Sequence, residues 1–287
     1  MRELARKLRL LTYSPRLQAI ARVLSVSGLL RDVYFRLAAD NDGVLRVNLK
    51  GVEVLYSAPS ALDCRSIEGG LQGSERDFSD ALLSSLCEGD VFLDVGSEFG
   101  LFAIPAAKRV GGTGLVVAVE PGSWALKRLD VNIRLNRLLN VRVFSIALGD
   151  RRGEAYLSWS DGSCPSLLHE LSANRSTNST SSARPSSGSE LISVMTGDQL
   201  LQLERLPVPK AVKVDVEGYE YQVLRGLETT LRDRACRLIC CEIHPLLLPV
   251  GITPEVILGF VRSVGFERVI SNPSRSQIHM MGLKDGE

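Results

Sequence analysis

The chain has 287 residues, of which 45% are hydrophobic, and a formal net charge of +1. That apolar share excludes a disordered class and is enough to bury one large domain plus an appendage. Near-neutral charge, with basic residues dispersed through the C-terminal part, argues against nucleic acid as a partner and for a small-molecule or glycan acceptor.

Residues 1–36 carry eight Lys or Arg against two acids, with aliphatics between them at helical spacing. They predict one or two basic amphipathic helices, suited to docking on the domain, on a partner, or peripherally on an anionic membrane. Residues 44–49 and 52–56 flank Lys50-Gly51 and read as a β-hairpin. Together, 1–69 form a predicted N-terminal extension to a domain over 70–287. Within the Gly-rich lead-in that follows, Glu75 is placed to reach a cofactor pocket ahead of a helix over 78–86.

The chemistry begins at 91–107, where an apolar β-run, a turn from Asp94 to Gly100 and an apolar helix follow in order. Strand, glycine turn and helix make a cofactor loop at the carboxyl end of a parallel strand. Dinucleotide loops keep a glycine at the centre, so that backbone meets pyrophosphate at a helix N-terminus. Here Ser97, Glu98 and Phe99 hold the centre, with glycines only at Gly96 and Gly100, and the Glu98 carboxylate would repel phosphate. An NAD-dependent oxidoreductase is therefore the weaker alternative. S-adenosyl-L-methionine, which carries a sulfonium and an ammonium, suits Asp94 and Glu98.

Residues 115–119 are a continuous apolar run, as in a buried parallel strand. Glu120 lies at its end, about twenty residues past the glycine turn, where a carboxylate grips a ribose diol. Pro121-Gly122-Ser123 opens a helix with Leu126, Leu129 and Ile133 on one face. A third strand spans 141–146. The loop after it, Ala147 to Asp150, is expected to wall the adenine, with Asp150 either a partner for the exocyclic amine or a plain turn residue. From 172 to 189, twelve of eighteen residues are Ser, Thr or Asn, which predicts a mobile loop or a lid over substrate.

The second chemical centre is 211–218. Lys213 and Asp215, two apart, share one face of an apolar strand, and Glu217 follows at its tip. A further strand, 238–243, repeats the arrangement with Glu242 and His244. Thr253-Pro254 starts a helix that Gly265 stops, and 266–270 with 277–283 form a closing hairpin. The cysteines (Cys64, Cys87, Cys164, Cys236, Cys240, Cys241) show no C-x-x-C spacing, so reduced, mostly buried thiols are expected, and no metal is assigned. Neither a signal-peptide core nor an apolar run of bilayer length is present, which predicts a cytoplasmic location.

Read as a set, these motifs resemble the FkbM family of S-adenosylmethionine-dependent methyltransferases from about residue 70 to 283. The closest correspondence is Lys213-Val214-Asp215-Val216-Glu217-Gly218 with Glu220, against that family's K-I-D-V-E-G-x-E. Glu75, Glu120-Pro121, Asn136 and Glu242-Ile243-His244-Pro245 also resemble family positions. The family's D-V-G-A-N-x-G stands here as Asp94 to Gly100 with Glu98 in place of Asn, and its T-L-D-D-L as Thr196-Gly197-Asp198-Gln199-Leu200. The resemblance implies a class I, Rossmann-like α/β fold with a seven-stranded sheet whose last strand is antiparallel, and methyl transfer, usually to a hydroxyl of a sugar, glycolipid or secondary metabolite. On this reading Asp215 accepts the hydroxyl proton with Lys213 or His244 tuning it, and Glu217 and Glu242 orient the acceptor. A divalent ion on some of these acids is the lesser alternative. The rival from another class is a scaffold that binds the cofactor without catalysis.

Overall fold

The computed structural model describes residues 43–71, 76–159, 170–172, 188–273 and 277–284. The basic segment over 1–36, Glu75 and most of the Ser/Thr/Asn tract fall outside them. The chain divides into two units, Met1–Arg76 and Asp77–Glu287.

In the first unit, β1 (Val44–Leu49) and β2 (Val52–Ser57) pair antiparallel around Lys50 and Gly51. Both turn residues have positive φ, 48° and 86°, the twist a two-residue hairpin requires. Alternation puts Leu45, Val47, Leu49, Val54 and Tyr56 among the buried residues. Helix α1 (Ala61–Gly69) opens on a capping box: Ser60 Oγ accepts from Asp63 N, and Asp63 Oδ2 accepts from Ser60 N.

From the boundary onward, α2 (Arg76–Ser85) leads into β3 (Val91–Val95), α3 (Ala103–Val110), β4 (Leu115–Val119), α4 (Ser123–Leu135) and β5 (Val141–Phe144) of the second unit. After an intervening sheet the alternation resumes with α5 (Gly197–Leu203), β10 (Ala211–Val214), α6 (Glu220–Gly226), α7 (Glu228–Arg232), β11 (Leu238–Ile243), α8 (Pro254–Ser263), β12 (Arg268–Pro273) and β13 (Ile278–Leu283). The main sheet has seven strands in the order β12-β13-β11-β10-β3-β4-β5. Its pairings are parallel from β11 to β5, and β13 runs antiparallel to both neighbours. This is the Rossmann-like seven-stranded arrangement that the resemblance implies, with the last strand antiparallel. Every residue of β10 and β11 is buried, because helices cover both faces of a parallel sheet and leave no polar side. Leu93, Val95, Val117, Val119, Val212, Val214, Ile239 and Ile243 form the centre of the core.

Two expectations change. The third strand stops at Phe144, short of residue 146, and Ala147-Leu148 is not a free turn but strand β6, paired with β9 (Gly188–Met195). With β7 (Gly153–Trp159) and β8 (Glu170–Ser172) these make a second, four-stranded sheet, β6-β9-β7-β8. Asp198 accepts from Thr229 N, Thr230 N and Thr230 Oγ1 at 2.6–2.9 Å, so its carboxylate caps α7. Four of the five described cysteines are buried and all five are free thiols. Among the described residues, no helix is long and apolar enough to cross a membrane.

Candidate active site

The carboxyl ends of β3, β4, β10 and β11 lie side by side in the sheet, and the residues beyond them form the site. At the end of β3 the chain turns sharply. Gly96 has φ +75°, and a Cβ there would lie 1.8 Å from the Asp215 carbonyl oxygen, so only glycine lets the two strand tips approach this closely. Its N–H donates to Val119 O at 2.9 Å, as does that of Ser97 at 3.1 Å. Ser97 Oγ donates to Asp94 O, and Gly100 N to Ser97 O, closing the turn. Phe99 is buried, its carbonyl accepts from Asn132 Nδ2 at 2.8 Å, and the Arg128 guanidinium stacks 4.7 Å above its ring.

Glu120, at the tip of β4, is buried and ties two loops together: Oε2 accepts from Glu98 N at 2.9 Å and Oε1 from Gly122 N at 2.8 Å. Glu98 itself adopts φ +47°, a left-handed conformation that costs an ordinary L-residue about 1 kcal/mol and that Asn tolerates better. Pro121 follows Glu120 directly. Ala147 and Leu148 are buried in β6, with Leu148 in the main core, and Asp150 is exposed beyond them.

Lys213 is the hub. It is 3% exposed, and its Nζ donates to Gly96 O at 3.0 Å and to Asp215 Oδ2 at 3.2 Å, while Asp94 Oδ1 lies 3.8 Å away. One ammonium thus binds the glycine turn and two strand-end carboxylates. Asp94 is fully buried, and besides Lys213 the Ser97 side chain and the Ala103 backbone ease its charge. Of the two tuners expected for Asp215, Lys213 touches it directly. His244 lies within 4.8 Å of it and is hydrogen-bonded to Glu220, with Nδ1 2.7 Å from Oε1, while its Nε2 faces Glu217 at 3.5 Å and Glu242 at 3.7 Å.

Burial sets the charge states. It pushes the Asp94 carboxyl up to about 6 against the pull of Lys213. Burial, then the charges of Asp215 and Glu120, lift Glu98 to about 8 despite Arg128, and burial lifts Glu120 to about 7 against its backbone hydrogen bonds. Burial raises Glu217 to about 7. For His244 burial lowers the value, but the Glu220 hydrogen bond and the charges of Glu217 and Asp215 together carry it to about 9.

A prediction about pH follows from Asp94, Glu98 and Glu120, whose folded values of about 6, 8 and 7 exceed the ordinary 3.8 for Asp and 4.5 for Glu. The native state binds these protons more tightly than the unfolded chain, so their contribution is fully present below the ordinary values and is lost as pH rises through the folded ones. The ligand-free protein is expected to melt at progressively lower temperature from about pH 5 to about pH 8, measured by thermal unfolding at constant ionic strength. A flat or rising profile contradicts the burial of these acids.

Sequence reading therefore located Asp94, Gly96, Ser97, Glu98, Phe99, Gly100, Glu120, Lys213, Asp215, Glu217, Glu242 and His244 on adjacent strand ends. It gave no role to Glu220, whose only signal was its place in the resembling motif. His279 was missed entirely: it pairs across the sheet with Glu242, its Nε2 3.7 Å from Oε2, a register no local pattern announces. Asn132 and Arg128, which hold the Phe99 loop from α4, were also absent from the reading.

A family model described as the methyltransferase FkbM domain matches residues 94–267. The hexuronic acid methyltransferase AglP of Haloferax volcanii is 28% identical over 213 residues, which cover 74% of this chain and 78% of that protein. Among solved structures, methyltransferase FkbM from Methylobacillus flagellatus KT matches with a TM-score of 0.47 at 12% identity, over 90% of this chain and 60% of that one. A putative rRNA-methylase from Clostridium thermocellum matches with a TM-score of 0.45 at 13% identity, over 75% of this chain and 97% of that one.

Proposed function

This chain belongs to the FkbM family of methyltransferases, and from that premise we propose that it transfers a methyl group from S-adenosyl-L-methionine to a hydroxyl of a sugar, glycolipid or secondary metabolite. A sugar acceptor is favoured, because the relative AglP is described as acting on hexuronic acid. The observation that carries the cofactor reading is Asp94, a fully buried carboxylate beside the glycine turn that shares its nearby ammonium, Lys213, with Asp215. A buried acid of this kind costs several kcal/mol unless a cation compensates it. Lys213 supplies one positive charge to Asp94 and Asp215 together, and Glu98 and Glu120 add two carboxyls that a nearby cation would draw toward their ionised forms, so a cationic ligand fits better than a phosphate.

When bound, S-adenosylmethionine supplies an electrophilic methyl on a sulfonium. Glu120 has a second lone pair on each oxygen for the ribose hydroxyls, beyond those taken by Glu98 N and Gly122 N. Asp215, held in place by Lys213 Nζ, would take the acceptor's proton as the acceptor oxygen receives the methyl group that the cofactor would supply. Glu217 and Glu242 orient the acceptor.

Calorimetry with S-adenosylmethionine and S-adenosylhomocysteine tests the cofactor. Asp94→Asn and Glu120→Gln are each expected to weaken binding about tenfold or more, the scale of one charge-assisted contact. Radiolabelled methyl transfer to uronic-acid-bearing glycans tests the acceptor. Tight NAD binding without S-adenosylhomocysteine binding would overturn the cofactor reading.

A further inference from the structure

Asp215, Glu217 and His244 each offer a donor atom, and the three atoms lie within 4.8 Å of one another. Metal bonds near 2.1 Å put donors about 3–4 Å apart, so a small contraction suffices. Asp215 and Glu217 keep 26% and 27% of their side chains exposed, which leaves them free to make it.

His244 is already oriented for such a role. Its Nδ1 meets Glu220 Oε1, on a residue with no exposure that also accepts from Gly218 N at 2.8 Å. A carboxylate partner orients the ring through Nδ1 and turns Nε2 outward, the arrangement found behind metal-bound imidazoles. Nε2 makes no hydrogen bond and points at Glu217 and Glu242. Glu242 is an independent sign. It is 3% exposed and accepts no hydrogen bond among the described residues, its approaches being 3.7 Å to His244 and 3.7 Å to His279. Four carboxylates converge on one imidazole, and any acidic acceptor arriving there would be repelled.

We propose that Asp215, Glu217 and His244 Nε2 bind one divalent cation of the Mg2+/Mn2+ class, with Glu242 beside it. Two carboxylates and an imidazole, with no thiolate among the donors, match a hard to borderline ion. Its role rests on the methyl-transfer reading: the cation holds the acceptor hydroxyl, lowers the hydroxyl's pKa and screens an acidic sugar from the surrounding carboxylates. A carboxylate bound through one oxygen keeps the other for the proton, so Asp215 remains the acceptor of it.

The test is titration of the full chain, stripped of metal by chelation and without S-adenosylmethionine, with Mn2+ alone, followed by electron paramagnetic resonance. One Mn2+ per chain is expected, with a Kd below about 100 µM, as for sites of this ligand count. Glu217→Gln and Glu220→Gln are each expected to weaken it about 10–100-fold, the second without touching the ion. Should those variants fail to fold, Mn2+ broadening of the His244 ring resonance in the unaltered protein gives the same answer. No saturable binding below about 1 mM, well outside the range of such sites, or saturable binding that leaves His244 unbroadened, overturns the proposal. S-adenosylhomocysteine binding is measured separately on the same sample. A chain that binds it but not Mn2+ loses only the cation, whereas one that binds Mn2+ but not S-adenosylhomocysteine keeps the cation site and loses the cofactor reading.

Discussion

Asp215→Asn is expected to lower methyl transfer by about 10²–10⁴-fold, the span that general bases contribute, while cofactor affinity stays within about threefold of the parent. The substitution is nearly isosteric, so the Lys213 contact at 3.2 Å survives as an ordinary hydrogen bond to the amide oxygen and the strand tip keeps its shape. What is lost is the lone pair that takes the acceptor's proton. Single-turnover kinetics with labelled cofactor, alongside calorimetry, separates the two readouts. The amide oxygen remains available to a cation, so excess Mn2+ is not expected to restore the rate. Turnover within about threefold of the parent would remove Asp215 from the proton-transfer role.

Gly96→Ala is expected to cost more than about 3 kcal/mol of stability, the range of a severe backbone clash. The added Cβ would meet the Asp215 carbonyl at 1.8 Å, and φ at +75° already disfavours any side chain. Relief requires β3 and β10 to separate at their tips, which would break the Lys213–Gly96 hydrogen bond of 3.0 Å. S-adenosylhomocysteine binding should therefore fall in the fraction that still folds. Chemical denaturation measures the loss. Gly112→Ala is the control, since a Cβ there meets nothing within 4 Å. Equal stability of the two variants would mean that the β3 turn has room the structure does not give it.

Much of the main sheet is legible in the linear chain because its signals are local. Leu115–Val119 is apolar throughout and Leu238–Cys241 is apolar up to Glu242, the pattern expected of strands covered on both faces, and acids at or beside their ends mark the ligand edge. The second sheet was not legible. Strands β7 and β9 lie on either side of a Ser/Thr/Asn tract, β9 sets Leu191-Ile192 and Val194-Met195 side by side rather than in alternation, and the two-residue β6 is too short to carry a pattern. Residues 141–146 looked like one strand because nothing at Ser145 signals that the pairing partner changes from β4 to β9.

Within the site the division follows range in sequence. Residue type and spacing along single strands were enough to nominate the glycine turn, Asp94, Glu120, Lys213, Asp215, Glu217, Glu242 and His244, because each motif is self-contained. Which of these touch was decided by register between strands: parallel pairing sets Lys213 opposite Asp94 on β3, and antiparallel pairing sets His279 opposite Glu242. Partner choice was likewise tertiary, since the hydrogen bond of His244 to Glu220, from the start of α6, is one that no spacing along either strand announces. A sequence specifies which groups stand at each strand end. Only the folded sheet fixes their separations, and Coulomb and hydrogen-bond energies depend on separations measured in ångströms, not in residues.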